Sequence, residues 1–71
     1  KMTERELFDC LGKNVKIIFK DGQILEGFCE GFDTENDNAP RKASIDIRQK
    51  NSSHCVVAFA DEIEKIELTD N

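Results

Sequence analysis

Tryptophan and tyrosine are absent from this chain, and histidine, methionine and proline occur once each. Five phenylalanines are the only aromatic residues, and most fall at positions patterned as buried, so platforms on which nucleic-acid bases could stack are scarce. A lone imidazole, His54, cannot build a metal centre that needs two. His54 adjoins Cys55, but successive strand residues point to opposite faces, so the two cannot act as a thiol–imidazole couple. The cysteines Cys10, Cys29 and Cys55 are odd in number and widely spaced, with no CxxC. They are expected to be reduced thiols packed as small apolar groups. No apolar run is long enough to cross a bilayer, and no signal-like apolar segment follows the start. The expectation is a cytoplasmic chain with no membrane partner, in which Asn51-Ser52-Ser53 is a polar turn and not a glycosylation site. There is no glycine-rich phosphate loop, and Ser52 and Ser53 lack a base. Glu62, Glu64 and Glu67 fall near a turn and on an outward strand face, where charge is solvated. With no catalytic constellation, the chain is expected to be neither an enzyme nor a cofactor carrier.

Basic residues are in the minority. Lys and Arg number 10 against 15 Asp and Glu, for a formal charge of −5. Phosphate backbones are held mainly by Lys and Arg, so this balance weighs against nucleic acid as partner. Seventy-one residues make one domain, spanning 1–71. A domain this small buries only about 60% of its unfolded surface. With disulfides and metals set aside, self-association is the expected support.

The patterning is mostly that of strands. Thr3 and Glu6 make a capping box ahead of Leu7, Phe8 and Leu11, and Gly12 stands as a stop, so a short helix is expected over residues 4–11. Val15, Ile17 and Phe19 alternate with Asn14, Lys16 and Lys20 in a first strand, 14–20. Asp21-Gly22 predicts a two-residue hairpin turn. A second strand, 23–32, follows with Leu25, Gly27 and Cys29 on one face and Glu26 and Glu30 on the other. Gly27 and Gly31 argue for a kink, a bulge or a close backbone approach. Residues 33–42 are a polar loop containing Pro40. Further strands are expected at 43–49, 54–60 and 64–68, with a helical turn at 61–63 and with Ile66 and Leu68 inward. The fourth strand is apolar on both faces, which in so small a domain points to cover by another chain.

The stretch Lys20-Asp21-Gly22, then Leu25, Gly27, Cys29, Gly31, Phe32 and Asp33 resembles the first motif of the Sm-like proteins, a family that includes the bacterial Hfq proteins. The likeness covers about residues 12–33. It implies an SH3-like, Sm-type fold: a strongly bent five-stranded antiparallel barrel with one short N-terminal helix. Most members form rings that bind RNA. Their uridine pocket uses an Asn four residues beyond the motif Asp, where this chain has Asp37. It also uses an Arg-Gly pair before the last strand, where this chain has Ala60 and Asp61. Asp cannot donate the hydrogen bonds of an amide, so the resemblance implies the scaffold without that pocket.

Three candidate surfaces remain. The acidic loop offers Asp33, Asn36, Asp37 and Asn38 for binding. Within it Asp33, Glu35 and Asp37 have the opening spacing of a calcium loop, but Asn38 and Ser44 stand where glycine and a bidentate Glu are needed, so no metal site is assigned. Lys13, Lys16 and Lys20 form a basic strip that would serve RNA. Val57, Phe59 and Ile66 mark strand edges through which copies could associate. The expected function is a non-catalytic Sm-like binding or assembly module, with an unknown protein or a second copy as partner; an RNA-binding Sm-like ring is the alternative.

Overall fold

The computed structural model describes residues 2–39 and 41–69. Its longest strand, β2 (Ile24–Asp33), is divided between two neighbours: β1 (Asn14–Phe19) and β3 (Ser44–Arg48). Residues 24–28 pair with β1 and residues 28–33 pair with β3; Phe28 alone has partners on both sides, Asn14 and Arg48. The changeover is possible because β3 presses onto Gly27. A Cβ there would overlap the carbonyl oxygen of Arg48 and lie 2.7 Å from Ile47 Cγ2. Two residues on, the β2–β3 register slips by one, leaving Glu30 as the extra residue of a bulge. The slip reverses the alternation of β2. Cys29 pairs with Ile47 before it and Phe32 with Ile45 after it, so Phe32 packs against the core and Asp33 turns away. Of the alternatives expected from the two glycines, a bulge and a close approach are present.

The remaining elements are α1 (Glu4–Phe8), β4 (Cys55–Phe59), a 3-10 turn (Ala60–Glu62) and β5 (Ile63–Leu68). One sheet holds all five strands in the order β4-β3-β2-β1-β5, every pair antiparallel. Its two terminal strands, β4 and β5, are consecutive in the chain. In a flat sheet they would lie four spacings apart, roughly 19 Å. The path from Phe59 to Ile63 can reach at most about 14 Å. The sheet is therefore strongly curled, and its concave side holds the core: Val15, Ile17, Cys29, Ile45, Ile47 and Ile63 are all essentially inaccessible.

Local structure departs from expectation at four places. The helix stops at Phe8, short of residue 11, and turns carry the chain to Gly12 at φ +81°. Gly12 N then donates to Cys29 O at 2.8 Å, and Cys29 N donates to Lys13 O at 2.9 Å, which ties the helix exit to the bend. Leu7 and Cys10 face the core, not Leu7, Phe8 and Leu11 together; Phe8 and Leu11 are half exposed. Phe8 instead meets Phe32 edge to face, with centroids 5.6 Å apart.

The hairpin turn has three residues, 20–22, and only Gly22 takes positive φ. Gly22 N donates to Phe19 O and Phe19 N donates to Gln23 O, both at 2.9 Å, while Asp21 Oδ1 accepts from Gln23 N. This is a turn closed by a left-handed glycine, which spares Asp21 the positive φ that a two-residue turn would impose. The helical turn after β4 begins at Ala60, one residue early. Leu68, expected inward, is 61% exposed. It pairs with Val15 at the last register position of a terminal strand.

Gly27 is the position most sensitive to added volume. Gly27→Ala is expected to lower stability by about 1–3 kcal/mol, the usual cost of overpacking. Urea unfolding followed by far-UV circular dichroism measures it; an unchanged midpoint would show that β3 does not press on this residue.

Candidate functional site

Asp33, expected in the polar loop, is the last residue of β2 and pairs with Ser44; the loop that follows it is organised from within. Asn38 Nδ2 donates to Lys42 O at 2.7 Å and to Ser44 Oγ at 2.9 Å, so one amide spans the neck of the loop. Ser44 is the one buried polar residue among those described, and Asn38 satisfies its hydroxyl. Thr34 Oγ1 donates to Asp37 Oδ2, and Asp37 N donates to Thr34 O, both at 3.1 Å. Glu35 N donates to Glu4 Oε2 at 2.8 Å, pinning the loop to α1. Lys42 Nζ meets Asp61 Oδ2 at 2.9 Å and joins its far end to the 3-10 turn. Asn36 is exposed. Pro40 lies outside the described residues. Among the described residues no three metal-ligating side chains converge, those of Asp33, Glu35 and Asp37 included. Asn38, a candidate for binding, has its amide nitrogen committed to Lys42 O and Ser44 Oγ within the loop.

Of Lys13, Lys16 and Lys20, Lys16 is the one set directly against carboxylates across the sheet, and Lys13 is exposed ahead of β1. Lys16 lies on β1 directly between Glu26 of β2 and Glu67 of β5. The Glu67 carboxyl is held below its usual range, first by Lys65 at 3.0 Å and more weakly by Lys16. Lys20 is followed at once by Asp21, and its backbone N–H donates to Glu62 O at 2.9 Å. Opposite charges directly across strands cancel much of each other's field.

The edge candidates separate likewise. Val57 and Phe59 share the face of β4 opposite the core, paired with Asp46 and Ser44 of β3. Ile66 lies at the other end of the sheet, half-buried against the core. The two terminal strands differ in character. β4, CVVAF, has no charge and no proline, and its register with β3 is unbroken over its whole length. β5 carries Glu64, Lys65 and Glu67, and a register slip interrupts its pairing with β1. Charge and bulges are the devices that protect an edge, and β4 has neither.

One cluster escaped the sequence pattern. Arg48 grips Glu30 with two parallel bonds, Nε to Oε1 at 2.7 Å and Nη2 to Oε2 at 3.0 Å, while its Nη1 donates to Ser53 O at 3.2 Å. The exposed Cys55 thiol donates to the same Glu30 carboxylate. The bonds from Arg48 and Cys55 hold Glu30 below the usual carboxylate range, and the Glu30 bond pushes the thiol up. Only the cross-strand pairing of Arg48 with Phe28 and Cys55, and the bulge at Glu30, bring these residues together. Asp46 is raised by burial first, then by Asp33 and Glu30. The half-exposed Phe28 ring lines an open cleft of about 670 Å³ beside Arg48 and Lys50. It has the look of a stacking platform, but the Arg48 fork is turned onto Glu30 and Glu26 lines the same cleft.

Comparison with protein-family models, with curated proteins and with solved structures found no match to this chain.

Two outcomes follow from the cluster. Of the three thiols, Cys10 and Cys29 are buried, with Cys29 pushed up to about 11 by burial. Iodoacetamide should therefore modify Cys55 first in the folded protein, and Glu30→Gln should speed that reaction at pH 8 by freeing the thiolate. Peptide mapping against time reads this; equal rates in the two proteins would exclude the thiol–carboxylate bond. Because Glu30 is lowered on folding, its pairing with Arg48 stabilises the protein above the usual Glu pKa and is lost as pH falls through the lowered value. The acid limb of a stability–pH profile should flatten in Glu30→Gln.

Proposed function

We propose that the protein is a non-catalytic assembly module that binds another polypeptide, a second copy or a different protein, by strand addition at β4. The observation that carries this reading is the terminal position of β4 together with its lack of charge, proline or bulge. An unprotected edge of this kind offers a row of backbone donors and acceptors to an incoming strand, with the side chains beside it setting preference. Val56 and Val57, on opposite faces of β4, are both substantially exposed and would flank the added strand.

The scaffold supports the same reading. The divided β2, the bend at Gly27 and the short path from β4 to β5 agree with the strongly bent, SH3-like or Sm-type barrel that the Lys20–Asp33 pattern resembles. The reduced thiols Cys10 and Cys29, packed in the core, fit a cytoplasmic setting. The RNA-binding ring of that family is the weaker reading here. Asp37 and Asp61 occupy the loops where such proteins hold bases, and Lys16 is flanked by carboxylates.

Light scattering after gel filtration tests the proposal. With a second copy as partner the solution mass rises above the 8.1 kDa of one chain as concentration increases, and Val57→Lys returns it to one chain without changing the circular dichroism spectrum; with a different protein as partner the mass stays that of one chain and Val57→Lys abolishes peptide binding. A mass of one chain at every concentration, together with tight salt-sensitive binding of U-rich or A-rich oligonucleotides, would transfer the assignment to RNA.

A further inference from the structure

An open cleft of about 570 Å³ lies between the β1–β2 hairpin and β4. It exists because the first half of β2 follows β1 and not β3, and among the described residues no strand pairs with the outer edge of β4. Its walls are apolar: Phe19, Ile24 and Leu25 on one side, Val56 and Val57 on the other. Ile24 is 57% exposed and Val57 is 47% exposed, so the surface is open to a visitor. Its charged rim is unequal, with Lys20 against Asp21, Asp61 and Glu62. Lys42 is paired with Asp61, and in the rest of the lining Asp21 and Glu62 outnumber Lys20, which leaves the rim one carboxylate in excess on a chain that is itself at −5.

We infer that this cleft takes an extended segment of another protein in which basic residues flank an aliphatic anchor. The inference rests on β4 as the docking edge and adds the chemistry of what docks there. A strand added to β4 would direct alternate side chains toward and away from the cleft. The apolar walls suit an aliphatic side chain. The rim, where Glu62 follows Asp61 in the 3-10 turn, suits Lys or Arg next to it. The chain's own β5 is a poorer occupant. Its Glu64 and Glu67 outnumber Lys65, so a second copy docking through β5 would bring carboxylates toward a carboxylate rim. Like charges brought together in this way oppose association and select against the wrong partner.

The probes are three short fluorescein-labelled peptides alternating isoleucine with lysine, glutamine or glutamate, titrated by anisotropy into the whole protein at low salt. The lysine peptide should bind most tightly and the glutamate peptide not at all, and the preference should fade as salt rises. Glu62→Gln should weaken the lysine peptide by roughly fivefold, the effect of one contact pair across water, and Glu62→Lys should weaken it further. Glu62 is exposed, and circular dichroism of both variants reports whether the fold is kept. The lysine peptide should also lower the solution mass of any self-associated protein. Equal binding of the lysine and glutamine peptides, with both abolished by Val57→Lys, would overturn the charge preference and keep β4 as the docking edge. Failure of every peptide, with a solution mass that Val57→Lys leaves unchanged, would overturn both. Binding of a single-stranded oligonucleotide in competition with the lysine peptide would overturn the protein partner as well.

Discussion

The close approach of β3 to the backbone of β2 at Gly27 is the constraint on which the molecule depends. At that point the Arg48 carbonyl and the Ile47 side chain occupy the space of a missing Cβ. This lets one strand serve β1 with its first half and β3 with its second. A longer side chain would push the two halves apart. The bulge at Glu30 completes the bend by moving Phe32 onto the core side, where Phe8 of the helix meets it. Helix docking, core closure and sheet curvature thus share one origin in the backbone.

The same curvature sets the character of the surface. Because Phe59 and Ile63 are separated only by the 3-10 turn, both ends of the sheet come near each other without pairing. One of those ends is guarded by charge and irregular register and the other is not. The gap left by the diverging halves of β2 becomes a cleft beside the unguarded end. An edge prepared for strand addition and a pocket suited to side chains are adjacent for a single geometric reason.

Acidic residues carry different roles according to place. Glu30 is bound by Arg48 and Cys55 on the convex face. Glu26 and Glu67 neutralise Lys16 across strands. Asp37 shapes its loop through Thr34. Local pairing engages only part of the acidic side chains, and one carboxylate of the excess lies at the cleft rim.

Much of the local structure was legible in the residues. The Thr3–Glu6 capping box, the alternation around Ile17 and Ile45, and the glycines of β2 all marked their elements, because short-range sterics and side-chain period act within a few residues. Turn length was misjudged at Asp21-Gly22, since a left-handed glycine serves either a two- or a three-residue turn. Of the loop candidates, Asp33 belongs to β2, and the amide of Asn38 bonds Ser44 and Lys42 across the neck of the loop, contacts that no local pattern announces. Only the tertiary structure could decide which residues oppose one another. Register across strands placed Glu26 and Glu67 beside Lys16, assembled Glu30 with Arg48 and Cys55, and left β4 open at its outer edge. Period-two patterning tells which face a side chain takes, but not its neighbour on the next strand, and in this protein the neighbours determine the candidate function.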